Sequence, residues 1–234
     1  MQPSLERALR RKEILGAWVE ADDDCTREKG GTRSMQVLDS IRKRRSIRDY
    51  KPDGIPKDVL GRLLEALRLA PTGGNRQPFK FIVVEEEATK GKVAAACRWK
   101  PGKPDGHEFV AGAPVVIVAC GSEKEAITRY YKGGEVSLTM GVAPGALDGE
   151  ELDQQNLMAV DLAIALDHLT LVAAEEGLGT CWIAALDERE LKKILSVPDD
   201  MRVLFVMPVG YPVSWPGPRP RKATEEIICW NRFG

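Results

Sequence analysis

The sequence has little of several features that mark particular classes of protein. Its 34 basic and 35 acidic side chains give a formal net charge of −1, whereas nucleic-acid clamps and membrane-surface binders usually carry a large basic excess. The longest apolar stretch, residues 109–121, is shorter than the roughly 18 residues that span a bilayer. Charges also stand near the N-terminus where a secretory signal needs an apolar run. We therefore expect a cytoplasmic protein that binds neither nucleic acid nor a membrane.

Histidines and closely paired cysteines are also scarce. His107 and His168 are the only histidines, which excludes a histidine-rich metal site. The five cysteines are an odd number and form no CxxC pair, which indicates reduced thiols rather than a disulfide framework. A catalytic cysteine is an alternative, although no obvious base accompanies any of them. Neither GxGxxG nor the P-loop pattern GxxxxGKS/T occurs, so a Rossmann domain and a P-loop have no support.

The first 34 residues differ in composition from the rest of the chain. They include an aspartate run at 22–24 and a glycine pair at 30–31, and we predict a short helix over 5–19 followed by a linker. From residue 35 onward the pattern is that of a domain large enough to bury a single core. We therefore predict an N-terminal extension, residues 1–34, and one domain, residues 35–234. A mis-assigned start of the chain is the alternative for the extension.

Hydrophobic periodicity predicts both helices and strands in that domain. Helices are expected from residue 35, over 56–68, 88–97 and 152–176, and from an Asp187 cap to residue 195. Strands are expected at 79–84, 114–120, 180–185 and 203–209, with a further edge strand at 224–230. In the long apolar helix we expect these residues to be buried: Leu157, Val160, Ile164, Leu171 and Val172.

This order of elements predicts the fold class. Four or five strands between helices indicate an α+β fold, a mixed α/β sandwich. Residues 121–149 show weaker periodicity, and we interpret them as a mobile lid.

The near-zero net charge averages over uneven segments. Residues 41–51 contain six basic side chains and one acid, and we call them the first basic segment. Arg219, Arg221 and Lys222 form what we call the second basic group. Because guanidinium groups match phosphate oxygens bidentately, the two together would make a monophosphate site. A solvated helix end or a nucleic-acid or nuclear-localisation patch are the alternatives.

A second candidate feature lies between the first long helix and the first strand, at residues 70–79, APTGGNRQPF. Two glycines let a backbone approach a planar ligand closely, and Thr72, Asn75 and Gln77 can supply hydrogen bonds. An ordinary helix-to-strand turn is the alternative.

Four blocks of sequence resemble the FMN-dependent nitroreductase family. They are RRSIR at 44–48, APTGGNRQPF at 70–79, EEGLGTCWIAALDE at 175–188, and PVGYP followed by PRPRKATEEI within 208–227. They occur in the family's order and extend the resemblance from about residue 35 to the end of the chain. The resemblance implies a nitroreductase-like fold, a central, mostly antiparallel sheet flanked by helices, in a homodimer with FMN bound at the subunit interface.

The resemblance also assigns cofactor-binding residues. Arg44, Arg219 and Arg221 would hold the FMN phosphate, while Ser46 and Arg48 would face the ribityl chain and the pyrimidine edge. Arg45 would contribute mainly through its backbone. Three further contributions are implied: Thr72 and Gly73 from the partner subunit, and the backbone of Ile183, Ala184 and Ala185 near flavin N5.

The activity implied is that of a flavoprotein oxidoreductase. FMN would take hydride from NADH or NADPH and pass it to an acceptor such as a nitroaromatic or a quinone, with no catalytic side chain and no metal. Phe79 and Ala184 stand where members often have Trp and Gly. Between residues 97 and 114 we find no counterpart of the additional Asn and Lys that some members direct at the flavin. The alternatives are reductive dehalogenation, flavin fragmentation, or a non-catalytic flavin-binding regulator. The sequence indicates neither the acceptor nor the nicotinamide preference.

Overall fold

The computed structural model describes residues 37–98, 107–127 and 155–233, the last two ranges without the side chains of 127 and 155–157. The predicted N-terminal extension and most of the predicted lid lie outside the described residues.

Seven α-helices lie in these three ranges. They are α1 (Val37–Lys43), α2 (Lys57–Arg68), α3 (Glu87–Ala96), α4 (Glu123–Ile127), α5 (Gln155–Glu175), α6 (Glu188–Leu195) and α7 (Thr224–Ile227). The predicted helices agree with α1, α2, α3, α5 and α6 to within a few residues. As expected, the Asp187 side chain caps α6 by accepting a hydrogen bond from the Glu190 backbone N–H at 3.1 Å.

Four strands form one sheet in the described residues: β1 (Phe79–Val84), β2 (Val115–Gly121), β3 (Gly179–Thr180) and β4 (Arg202–Gly210). Their order across the sheet is β1-β2-β4-β3, and every neighbouring pair is antiparallel. The prediction of an α+β fold around a mostly antiparallel sheet is therefore confirmed.

The central strand β2 separates two hydrophobic clusters. Val115, Ile117 and Ala119 belong to a cluster shared with α2 and α5. Val116 and Val118 alternate with them and belong to a second cluster, shared with α3 and α6. Because successive strand residues point to opposite faces, β2 is covered on both sides and is buried at every position.

The long helix α5 corrects part of the expected burial. Val160 is 41% exposed, and Ile164, Leu171 and Val172 are only half-buried. The side chain of Leu157 is outside the described ones. The fully buried positions of α5 are instead Met158, Leu162, Ala165, Leu166, Leu169 and Ala173. The helix is apolar on most sides, so its pattern does not indicate which side faces the core.

Two strand predictions are also corrected. The strand expected at 180–185 is reduced to Gly179–Thr180, followed by an isolated bridge between Ile183 and Val206. The expected edge strand at 224–230 is in fact the helical turn α7. There the Glu226 carboxylate accepts a hydrogen bond from the Ala223 backbone N–H at 2.8 Å, which favours a helix start over an extended strand.

Candidate functional site

The RRSIR segment, residues 44–48, continues from the end of α1 along the free edge of β3. Ser46 forms a parallel bridge with Thr180, and the Ile47 N–H donates to the Thr180 carbonyl at 2.9 Å. Ile47 is 1% exposed and packs on Gly179, where any Cβ atom would collide with its side chain. Because side chains alternate along an extended chain, the inward Ile47 leaves Ser46 and Arg48 exposed.

The residues after RRSIR pair with the continuation of β4. The Lys51 N–H donates to the Tyr211 carbonyl at 2.8 Å, and the Val213 N–H donates to the Asp49 carbonyl at 3.1 Å. The first basic segment is therefore held against the stretch that leads into the second basic group.

Tyr50 reinforces this junction from the core. Its hydroxyl lies 2.8 Å from the Ile47 carbonyl oxygen and 3.3 Å from that of Pro208. Burial, with a smaller contribution from Cys181, raises the pKa of Tyr50, so the hydroxyl stays protonated and can donate.

The four arginines predicted to bind FMN have no acidic partner among the described residues. Arg44 is half-buried, while Arg48, Arg219 and Arg221 are exposed. None of the four forms an ion pair with a carboxylate of the described residues. They are therefore available for an anionic ligand.

The positive charges of Arg44 and Arg48 affect the pKa values of neighbouring side chains. Burial raises the pKa of the Cys181 thiol, and Arg48 and Arg44 only partly oppose that effect. Burial followed by the charge of Arg48 lowers the pKa of His107, whose ring centroid lies 5.4 Å from that of Phe109. Arg48 thus faces both Cys181 and His107 closely enough for its charge to be felt.

The buried thiols are poor nucleophiles. Burial raises the pKa of Cys97 to about 12 and, with Glu188 as a smaller cause, that of Cys120 to about 11. Cys181 shifts in the same direction. All three stay protonated at neutral pH, which gives no support to a catalytic thiolate among them.

Residues 183–185 follow β3 on the same edge of the sheet. Ile183 exchanges both of its backbone hydrogen bonds with Val206, at 3.0 and 2.9 Å. Its polar backbone groups are therefore occupied. No hydrogen bond between described residues takes up the N–H of Ala184 or Ala185, and Ala184 is exposed.

The loop that contains Thr72 and Gly73 is held by helix α5. The Gly73 N–H donates to Asp161 Oδ1 at 3.1 Å, and the Gln77 N–H donates to the Thr72 hydroxyl oxygen at 3.0 Å. The loop is conformationally demanding, because Asn75 and Gln77 both have positive φ. No hydrogen bond or ion pair among the described residues joins this loop to residues 44–48.

Sequence reasoning missed two buried charged residues, Arg76 within that loop and Asp161 on α5. Asp161 is 4% and Arg76 6% exposed. Asp161 Oδ2 and the Nε and Nη1 atoms of Arg76 have no hydrogen-bond partner among the described residues. Burial raises the pKa of Asp161, while the Gly73 N–H and then Arg76 oppose that rise. The sequence does contain a signal for Asp161, because it is the one carboxylate in the apolar stretch MAVDLAIAL, residues 158–166.

The described residues contain neither a metal-binding cluster nor a membrane-spanning helix. No group of three or more metal-ligating side chains is found there. In the same ranges, no helix combines the length and apolar character needed to cross a membrane.

Comparisons with known proteins identify relatives over most of the chain. The iodotyrosine deiodinase of Thermotoga neapolitana is 28% identical, covering 85% of this chain and all of the relative. The FMN reductase [NAD(P)H] of Bacillus subtilis is 26% identical, covering 82% of this chain and 72% of the relative.

A solved structure agrees in fold as well as sequence. The crystal structure of a nitroreductase family protein from Clostridium novyi NT has a TM-score of 0.60 and 32% identity, covering 76% of this chain and 86% of that chain. The profile of the nitroreductase family matches residues 41–211. Since this match takes in most of the chain, including RRSIR, the loop at 70–79 and the sheet, the protein belongs to the nitroreductase family.

Proposed function

We propose that this protein is an FMN-dependent NAD(P)H oxidoreductase that passes electrons to a small acceptor such as a nitroaromatic or a quinone. The observation that carries the proposal is the pairing of residues 46–51 with β3 and with residues 211–213. That pairing brings the RRSIR segment to the chain that leads to Arg219 and Arg221. Family membership and relatives such as the FMN reductase of Bacillus subtilis support the cofactor and the electron donor.

Arg44, Arg219 and Arg221 would hold the phosphate of FMN. A phosphate monoester carries nearly two negative charges, and guanidinium groups bind it through charge-assisted hydrogen bonds. The absence of acidic partners for these side chains within the described residues fits this role. No carboxylate of the described residues would need to be displaced on binding.

Ser46 and Arg48 would orient the rest of the cofactor. Both are exposed beside β3, whereas Ile47 between them anchors the segment in the core. Arg48 would stabilise negative charge that develops at the pyrimidine edge on reduction. Bound FMN would supply the redox chemistry by accepting hydride from NAD(P)H and passing it to the acceptor at the same face.

The N–H groups of Ala184 and Ala185, which have no partner among the described residues, are the candidate donors near flavin N5. Ile183 would place them, since its own N–H and C=O are bonded to Val206. The exposed methyl group of Ala184 would narrow the approach of an acceptor relative to a glycine at this position.

A homodimer would complete the site. Thr72 and Gly73 would reach the partner's cofactor, which is consistent with their lack of hydrogen bonds to residues 44–48 within the described chain. The Thr72 Oγ1 atom accepts a hydrogen bond from the Gln77 N–H, so the hydroxyl keeps its own proton and can donate it. Ile227 is 62% and Phe233 97% exposed; a second subunit would cover such apolar side chains. We place this dimer in the cytoplasm.

Absorbance spectroscopy of the purified protein tests the proposal. We expect a bound flavin spectrum that NADH or NADPH bleaches without oxygen and that a nitroaromatic or quinone restores. Arg44→Ala and Arg221→Ala should each weaken FMN binding by about 1.5–3 kcal/mol, roughly 10- to 150-fold in Kd. The matched control is Arg68→Ala, because Arg68 is exposed and pairs with Glu65. Full flavin affinity in both site variants would refute the phosphate assignment.

A second reaction on the same site is favoured by one specific comparison. The iodotyrosine deiodinase of Thermotoga neapolitana matches over its whole length, so reductive dehalogenation is the rival to nitro or quinone reduction. Anaerobic turnover with nitroaromatics, quinones and halogenated phenols separates the two. Flavin that binds but is never bleached by NADH or NADPH would instead indicate a flavin-binding regulator.

A further inference from the structure

The C-terminal end of α1 is capped by a side chain from the RRSIR segment. A helix leaves its last carbonyl groups without partners inside the helix. Arg45 Nη1 lies 2.5 Å from the Arg42 carbonyl oxygen, 3.3 Å from that of Lys43 and 2.8 Å from that of Arg44. The positive guanidinium group therefore stands where the helix dipole is negative. Its Nη1 atom is therefore bonded to backbone oxygens at the end of α1.

The same guanidinium group also contacts the chain beyond β4. Arg45 Nε donates to the Pro216 carbonyl at 3.2 Å, across 171 residues of sequence. The neighbouring Trp215 donates through Nε1 to the Lys43 carbonyl at 2.7 Å, and Lys43 Nζ lies 5.5 Å from the centre of the Trp215 ring. Together these bonds form what we call the α1–Trp215 contact: Arg45 and Trp215 with the carbonyls of Lys43 and Pro216.

This contact limits how far the second basic group can move from the end of α1. Arg219 follows Pro216 by three residues, so its Cα lies within about 11 Å of a fixed point at the end of α1. Without the contact, the nearest upstream attachment is the bond from Val213 to Asp49, which doubles the free length to six residues. Effective concentration falls roughly as the −3/2 power of the length, so the loss is about threefold.

We propose that Arg45 and Trp215 are positioning residues. They hold the second basic group at a distance from Arg44 at which Arg44, Arg219 and Arg221 can bind one phosphate together. The inference rests on the proposed function, because the phosphate belongs to FMN. Among the described residues, the hydrogen bonds of the Arg45 and Trp215 side chains all go to backbone carbonyl groups. Trp215 brings no charge, so its contribution to FMN affinity is indirect.

The test uses two conservative substitutions. Arg45→Lys keeps the positive charge but loses the planar guanidinium group with its several N–H donors. Trp215→Phe keeps an aromatic ring but loses the N–H donor. Arg68→Lys, on an exposed helix face, is the matched control. We expect the first two to raise the Kd for FMN about 3- to 10-fold, and the control to leave it unchanged. All variants are compared by melting temperature.

The decisive comparison combines Trp215→Phe with Arg221→Ala. If Trp215 acts by placing the second basic group, its substitution costs less affinity once Arg221 has been removed, because only Arg219 is then left to be placed. A purely structural role would multiply the two losses in full. Wild-type FMN affinity in both Arg45→Lys and Trp215→Phe, or full multiplication in the double variant, would overturn the proposal.

Limited trypsin digestion of the flavin-free protein gives an independent readout. Cleavage after Arg221 and Lys222 should accelerate several-fold in Arg45→Lys and Trp215→Phe, because the preceding chain is released from α1. Unchanged cleavage in both variants would overturn the proposed contact. If the wild-type protein failed to bind FMN while cleavage accelerated as expected, the contact would stand and the function proposed for it would fall.

Discussion

The packing of Ile47 on Gly179 makes a quantitative steric prediction. A Cβ atom at Gly179 would collide with the Cγ1, Cβ and Cγ2 atoms of Ile47, which are the stiff part of a β-branched side chain. Gly179→Ala should therefore destabilise the fold by about 1–3 kcal/mol through overpacking. Ile47→Ala should cost about 2–5 kcal/mol, because it leaves a cavity at a site that is 1% exposed.

The double variant tests whether the two residues are in contact. Ile47→Ala removes two of the three colliding atoms, so Gly179→Ala should cost less in its presence, with a coupling of about 1–2 kcal/mol. Urea unfolding at one fixed protein concentration measures all four proteins, because the stability of the proposed dimer would depend on concentration. With an m-value of about 2 kcal/mol/M, Gly179→Ala should lower the midpoint by about 0.5–1.5 M.

Gly61 in α2 supplies the matched control. Nothing lies within 4 Å of a Cβ atom built there, and alanine favours a helix more than glycine does. Gly61→Ala should therefore leave stability unchanged or raise it by up to about 1 kcal/mol. If Gly179→Ala behaved like Gly61→Ala, or if the losses at Ile47 and Gly179 simply added, the placement of RRSIR against β3 would be wrong.

Three further substitutions test other parts of the site. Asp161→Asn should destabilise the protein by about 1–3 kcal/mol in urea unfolding, because it removes the counter-charge of the buried Arg76; stability equal to wild type would show that the pair is not coupled. Tyr50→Phe should cost about 1–2 kcal/mol by leaving buried carbonyl groups without their donor, and a change below about 0.3 kcal/mol would contradict that bond. For His107, burial and then Arg48 lower the pKa, so the unfolded chain binds the proton more readily and stability falls as pH drops through about 6.5. His107→Gln should flatten that fall between pH 7 and 5, and identical pH profiles would refute it.

Elements whose residue types follow a clear helix or strand pattern could be predicted from the sequence. In α2 the apolar residues recur at helical spacing, and Val59, Leu63 and Leu67 are buried as the stripe requires. The strand at Phe79–Val84 was predicted to the residue, since β-branched and aromatic side chains fit a pleated surface. In both, local preference and tertiary packing agree.

Features that depend on distant partners could not be predicted. The side of α5 that is buried is chosen by β2 and α2, and nothing in its nearly all-apolar sequence marks that side. The bond from Gly73 to Asp161 spans 88 residues, and the bond from Trp215 to Lys43 spans 172. RRSIR and the loop at 70–79 were found as motifs, but Tyr50 and Asp161, whose side chains bind their backbones, lie outside both.

The position of β2 between β1 and β4 has a consequence for synthesis of the protein on the ribosome. β1 can pair with β2 early, but β4 follows β2 by about 80 residues. At roughly 5–20 residues per second, the strand Val115–Gly121 would wait about 4–16 seconds for its second neighbour. During that interval VVIVAC presents an unpaired apolar edge, the kind of segment that associates with copies of itself. We therefore expect the yield of native protein to depend on chaperone supply and on the rate of translation through residues 122–201.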